Sequence, residues 1–245
     1  MNEISSLRIG QWVIIRSEAA PEFIADHGMT GKWDSTIGGV VFLRRILNID
    51  STNKSIEIDT PIRYPLLVRD HASVYEFMSP IEEVGLSDFS IGMTNVRSRD
   101  LNDNDYNTPG TVSYSVHQSH AITFNHAVNS WMKNVESYKP VTNTEDFHIL
   151  SNAVHLVASK NITVQNTHFQ RAEYQGAGGN GYLYTQQGSE NLIIQAIAEY
   201  ARHNFDHSGL EATGNVIVDS VGRHSRLPSD FHMYLSPANL VHMKV

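Results

Sequence analysis

Short stretches of alternating apolar and polar residues dominate the chain. QWVIIRS, GVVFLRRILNID, SIEIDTP and SVYEFM are rich in β-branched residues and bounded by turn residues, which predicts strands. NIDSTNKSIEID predicts a hairpin around Ser51–Lys54. Helical periodicity is scarce, and PEFIADHGM predicts one or two helical turns. Asp26 and His27, at the end of that segment, are assigned to the surface. Residues 1–84 therefore read as a small β-rich N-terminal region.

From about Gly85 a short pattern recurs: NSWMKNVES, KNITVQNTH, ENLIIQAIA, GNVIVDSVG and ANLVHMKV. An asparagine heads each copy: Asn129, Asn161, Asn191, Asn215 and Asn239, at intervals of 32, 30, 24 and 24 residues. SDFSIGMTN, with Asp88, reads as an earlier degenerate copy. Repeats of this length signal a solenoid. Apolar residues alternate after each asparagine (Ile162/Val164, Leu192/Ile194, Val216/Val218), so the repeated unit is a strand. Stacked units of this kind build a parallel β-helix with coils about 4.8 Å apart. The five asparagines are expected to stack as one ladder.

The Asn-headed repeats, the 24-residue period and the segments NGYLYTQQGSENLII, ARHNFDHSGLEATGNVIV and SDFHMYLSPANL resemble the pectate-lyase-like right-handed parallel β-helix superfamily. The resemblance covers residues 85–245. It implies an all-β fold, a right-handed parallel β-helix preceded by the β-rich region. Such proteins include polysaccharide lyases, glycoside hydrolases and glycan-binding tailspikes or adhesins. The resemblance implies a secreted or bacterial periplasmic setting, although MNEISSLRIG is not a signal peptide.

The equal final intervals align three coils by subtraction of 24 residues. Tyr182, Asp206 and Asp230 then share a column, as do Tyr184, Ser208 and His232. A third column holds Leu183, His207 and Phe231, and a fourth Thr185, Gly209 and Met233. The apolar odd positions are expected to face the core, with His207 as the exception. Tyr182, Tyr184, Asn204, Asp206, Ser208, Asp230, His232 and Tyr234 are expected to face outward as a polar strip. Asp206 and Asp230 would stand about 5 Å apart at the backbone, so one should hold a proton or both share a cation. Arg202 and Arg226 share a neighbouring column.

This pattern predicts a polysaccharide-degrading enzyme acting on an acidic glycan. Asp206, Asp230, His232, His203 and Arg202 are the candidate catalytic residues. Tyr182, Tyr184, Asn204, Arg226 and Tyr234 are the candidate substrate contacts. A hydrolase would use the aspartates as acid and base, their separation setting the stereochemistry. A lyase would abstract a proton beside a uronate carboxyl, with Tyr182, Tyr184, His203 or His232 as base or acid and arginine or calcium neutralising that carboxyl. The alternative is a glycan-binding solenoid without turnover, resembling a tailspike or adhesin; a structural spacer is the third reading.

Charge and composition narrow the partners. The net charge of −8 disfavours nucleic acid or an anionic membrane. No apolar run approaches a membrane span. The absence of cysteine removes disulfides and thiolate zinc sites. HQSH (His117, His120) with His126, His148 and His155 matches no zinc signature, so no metal ligand is assigned. No cofactor is required; calcium on Asp206 and Asp230 is the candidate cation. GAGGNG fits G-x-G-x-x-G, but a strand follows it, so a nucleotide site is rejected and a loop bordering the cleft is expected. The chain stops at NLVHMKV inside a strand, with no C-terminal cap. Further residues, a second chain or a subunit are expected to cover the ends.

Overall fold

In the computed structural model, residues 5–232 and 239–244 are described. Strands dominate them, as the alternation predicted. β1 (Trp12–Arg16), β2 (Val41–Asp50), β3 (Ser55–Ile58) and β4 (Ser73–Phe77) form an antiparallel sheet in the order β3-β2-β1-β4. The β2–β3 hairpin turns on Asp50, whose Oδ1 accepts the N–H groups of Thr52 and Asn53 at 2.9 and 3.0 Å. A short helix, α1 (Pro21–Asp26), starts on Pro21, where the missing N–H costs nothing. His27, assigned to the surface, instead packs its ring between Phe23, Tyr64 and Trp33.

Parallel pairing begins at β5 (Ile81–Glu82). The chain continues through β6 (Gly85–Ile91), α2 (Val112–Val116), β7 (His120–Asn125), β8 (Ala127–Val128), β9 (Trp131–Ser137), β10 (Asn152–Lys160) and β11 (Thr163–Gln170). It ends through β12 (Tyr182–Ser189), β13 (Leu192–Ile194), β14 (Ile197–Glu199), β15 (His203–His207), β16 (Val216–Arg223), β17 (Asp230–Phe231) and β18 (Leu240–Lys244). One parallel sheet runs β17-β15-β12-β10-β8-β5, with β7 also paired to β10. The other collects β6, β9, β11, β13, β14, β16 and β18. The chain passes repeatedly from the first sheet to the second. Between them lies a core that includes Met132, Leu156, Val164, Phe169, Ile193, Phe205 and Ile217.

The five asparagines form two columns, not one ladder. Asn129 and Asn161 occupy the turn position that Glu190 and Gly214 fill in later coils. All four have left-handed backbone, φ 50, 56, 58 and 70°, and Asn161 Nδ2 donates to Asn129 Oδ1 at 3.1 Å. Asn191, Asn215 and Asn239 stand one position later. Their Oδ1 atoms accept the backbone N–H of Ile162, Asn191 and Asn215 at 2.9, 2.9 and 2.8 Å. A buried turn N–H pointing along the stack has no ladder partner, and the next side chain supplies one.

The antiparallel sheet is tied to the parallel ones by buried charge. Arg44, fully buried in β2, donates to the carbonyls of Leu43, Thr60 and Pro61, to Ser189 Oγ at 3.2 Å and to Glu190 Oε1 at 3.3 Å. Arg63 faces the same Glu190 oxygen. Lys160 meets Asp59 at 2.6 Å and lies over the Trp12 ring.

Candidate functional site

A cleft of about 360 Å³ opens on the outer side of the first parallel sheet. Tyr182, Thr185 and Gln187 of β12 line it with Asp206 of β15, Ser208 and His232. His120, Asn152 and His155 line it from β7 and β10, while Gln118, Gly178, Gly179 and Arg202 come from turns. Gly178 and Gly179 belong to the GAGGNG loop and have φ of 74 and 85°, where side chains are strained. β12 follows that loop directly, so there is no helix N-terminus to hold a nucleotide phosphate.

Asp206 pairs in register with Asp230 on β17. The spacing of 24 therefore holds between those strands. Between β12 and β15 it does not: Tyr182 pairs with His203, Tyr184 with Phe205 and Thr185 with Asp206. The cause is loop length. Six positions separate Thr185 from Asn191, but nine separate Asp206 from Asn215.

Two of the expected substrate contacts are corrected, Tyr184 by this shift of three and Asn204 by the inward packing of its own side chain. Tyr184 is a core residue, stacked on Phe205 at 5.1 Å, its hydroxyl bonded to Thr167 Oγ1 at 2.8 Å. Asn204 is buried and donates to the Arg223 carbonyl at 3.0 Å. His207, uncertain in the alignment, is buried against Phe231. Tyr182 lines the cleft and stacks on His203 at 4.7 Å. His203 lies behind it, donating from Nδ1 to the Pro228 carbonyl at 2.6 Å. Arg202 reaches over the Tyr182 ring and donates to the Gly176 carbonyl at 3.1 Å. Arg226 is beside it in register but exposed, and is not part of the lining. Tyr234, like Met233, lies outside the described residues.

Asp206 is 3% exposed, and its Oδ1 has no hydrogen-bond partner among the described residues. Burial, and then the charge of Asp230, push its carboxyl up to about 8. Asp230 is half-buried and contacts His232 Nδ1 at 3.6 Å, with His203 Nε2 at 4.0 Å. The contact with His232 holds Asp230 below the usual carboxylate range, and Asp230 in turn raises His232. At neutral pH one aspartate is thus protonated while its neighbour is ionised and paired. Burial raises the Tyr182 phenol to about 12, so it is no base at that pH.

His120 and His155 join the cleft although the sequence showed them only as members of an unconvincing metal set. Their rings stack at 4.5 Å. Burial lowers His120 to about 4 and lowers His155 as well. The other members scatter: His117 packs at a tilt against Tyr106, His126 stacks on Phe77, and His148 contacts Ser137. Asp206, Asp230 and His232 offer ligand atoms within 4.8 Å of one another. That imidazole departs from the all-oxygen shell calcium favours.

The chain matches no known protein family, no curated protein and no solved structure. Its class is therefore argued from the fold and the cleft.

Proposed function

We propose that residues 85–245 are a right-handed parallel β-helix of the pectate-lyase-like kind and that the cleft hydrolyses an acidic glycan. Support for the fold comes from the repeated passage between two parallel sheets and the stacked turn positions. The hand follows from the near-universal preference of parallel crossovers. The observation that carries the activity is a buried Asp206 in register with Asp230 on the next strand, where burial raises the first carboxyl and His232 lowers the second.

In this reading Asp206 donates its proton to the glycosidic oxygen as the bond breaks. Asp230 attacks the anomeric carbon, and water then releases the sugar, with Asp206 acting as base. The pair's ligand oxygens lie within 4.8 Å. A pair this close on adjacent strands suits the short carboxyl separation of a retaining enzyme, about 5–5.5 Å, and retention is the outcome we expect. Arg202 faces the sugar carboxylate, and Tyr182 borders the ring. The test is incubation with a panel of acidic and neutral polysaccharides. We expect new reducing ends from an acidic polymer, retained anomeric configuration and no ultraviolet absorbance from unsaturated sugars. Unsaturated products would replace this reading with a lyase. Binding without turnover, unaffected by alanine at both aspartates, would replace it with a non-catalytic glycan binder.

Arg202→Ala should raise KM for the acidic glycan about ten- to a hundredfold, the worth of a charge-assisted hydrogen bond, and change use of a neutral analogue much less. Parallel KM measurements on both substrates check this. Equal losses would make Arg202 a support of the Gly176 loop only.

A further inference from the structure

The end of the cleft away from the aspartates has a different chemistry. His155 stands in the outward column Thr123–His155–Thr185–Asp206–Asp230. Two strand spacings, about 10 Å, separate it from Asp206. A chain bound across the strands would place a neighbouring sugar there.

Hydrogen bonds set the donor and acceptor pattern of the stacked imidazoles. Asn152 Oδ1 accepts the Tyr182 N–H at 2.8 Å, so its amino group faces the Gly179 carbonyl at 3.0 Å and His120 Nε2 at 3.4 Å. His120 Nε2 must therefore accept, which leaves the other nitrogen of the neutral ring as the donor. Gln187 presents its Oε1 to His155 Nε2 at 3.0 Å. That nitrogen must donate, which leaves the other as an acceptor in the neutral ring.

We propose that His120 and His155 form a subsite for an uncharged sugar. The substrate is then a heteroglycan in which a neutral residue adjoins the acidic one at Arg202. A neutral imidazole that donates and accepts matches hydroxyl groups, and stacked rings offer an apolar face. A carboxylate placed there would lose hydration against a column of neutral side chains, Thr123, His155 and Thr185, that offers it no cation. The inference rests on the glycan reading of the cleft.

The test is calorimetric titration of the full chain carrying Asp206→Asn, which keeps ligands intact. The probes are a hexasaccharide alternating hexuronate with a neutral hexose and a homo-hexauronate. The alternating ligand should bind at least about tenfold tighter. His155→Phe keeps the ring volume and removes both polar atoms, and should bring the two affinities within about twofold; His155→Gln, a smaller polar change, should narrow the gap partway. Equal or tighter binding of the homo-hexauronate, or an unchanged ratio in both His155 variants, would overturn the proposal while leaving the glycan reading intact. Binding of neither probe would overturn both.

Discussion

Asp206→Asn is expected to lower kcat by about 10²–10⁴-fold, the usual contribution of a positioned general acid. The carboxamide fills the same space and has no proton to give. The same change should make the protein more stable near neutral pH. The folded carboxyl titrates at about 8, above its unfolded value of about 4. Between those values the unfolded chain is ionised while the folded chain holds the proton, so wild-type stability falls as pH rises. Asn carries no such penalty, and its advantage should widen from pH 5 to pH 8. A rise of at least ~2–4 °C in the melting midpoint at pH 7 is the expected sign. Lost activity together with lost stability would mean that Asp206 is a structural residue.

Arg44→Ala is expected to cost about 3 kcal/mol of folding stability. Removing one partner from a buried ion pair costs about 3–5 kcal/mol, and the lower end applies because Arg63 still faces Glu190. The loss comes mainly from the Leu43 carbonyl and the Ser189 hydroxyl, both stripped of a donor in a buried site, with a smaller part from the part-buried carbonyls of Thr60 and Pro61. A shift in the urea midpoint at constant slope reads this directly. A change below about 1 kcal/mol would mean that the antiparallel sheet docks by apolar packing alone.

The strands were legible because apolar alternation and turn residues mark them locally. The repeated asparagines located the starts of β9, β11, β13, β16 and β18. Their division into two columns was not legible: the alternation Ile162/Val164, Leu192/Ile194 and Val216/Val218 gave every asparagine the same phase, whereas Asn129 and Asn161 precede their strands by two positions and the other three by one. The Asp206–Asp230 pairing was legible because the two coils have turns of the same length. The register of β12 was not, since six positions separate Thr185 from Asn191 but nine separate Asp206 from Asn215, which makes the offset from β12 to β15 21 although the asparagines that follow are 24 apart. Tyr184 was consequently placed outside. Asn204 was placed outside by alternation, yet it packs inward where Gly222 presents no Cβ against it. His120 and His155 were missed for a different reason: His120 aligns with Asn152 and His155 with Thr185 at offsets of 32 and 30, equal to the first two asparagine intervals, but only the last three coils were aligned.

The pH dependence of kcat/KM on an acidic glycan tests the central claim most directly, since it reports the protonation of the free enzyme. Asp206 must be protonated and Asp230 ionised. The profile should be bell-shaped, falling as pH rises through about 8 and falling again as the medium becomes acidic enough to protonate Asp230. The alkaline limb should disappear in the residual activity of Asp206→Asn. Activity that keeps rising above pH 8, or an alkaline limb unchanged in Asp206→Asn, would contradict the account.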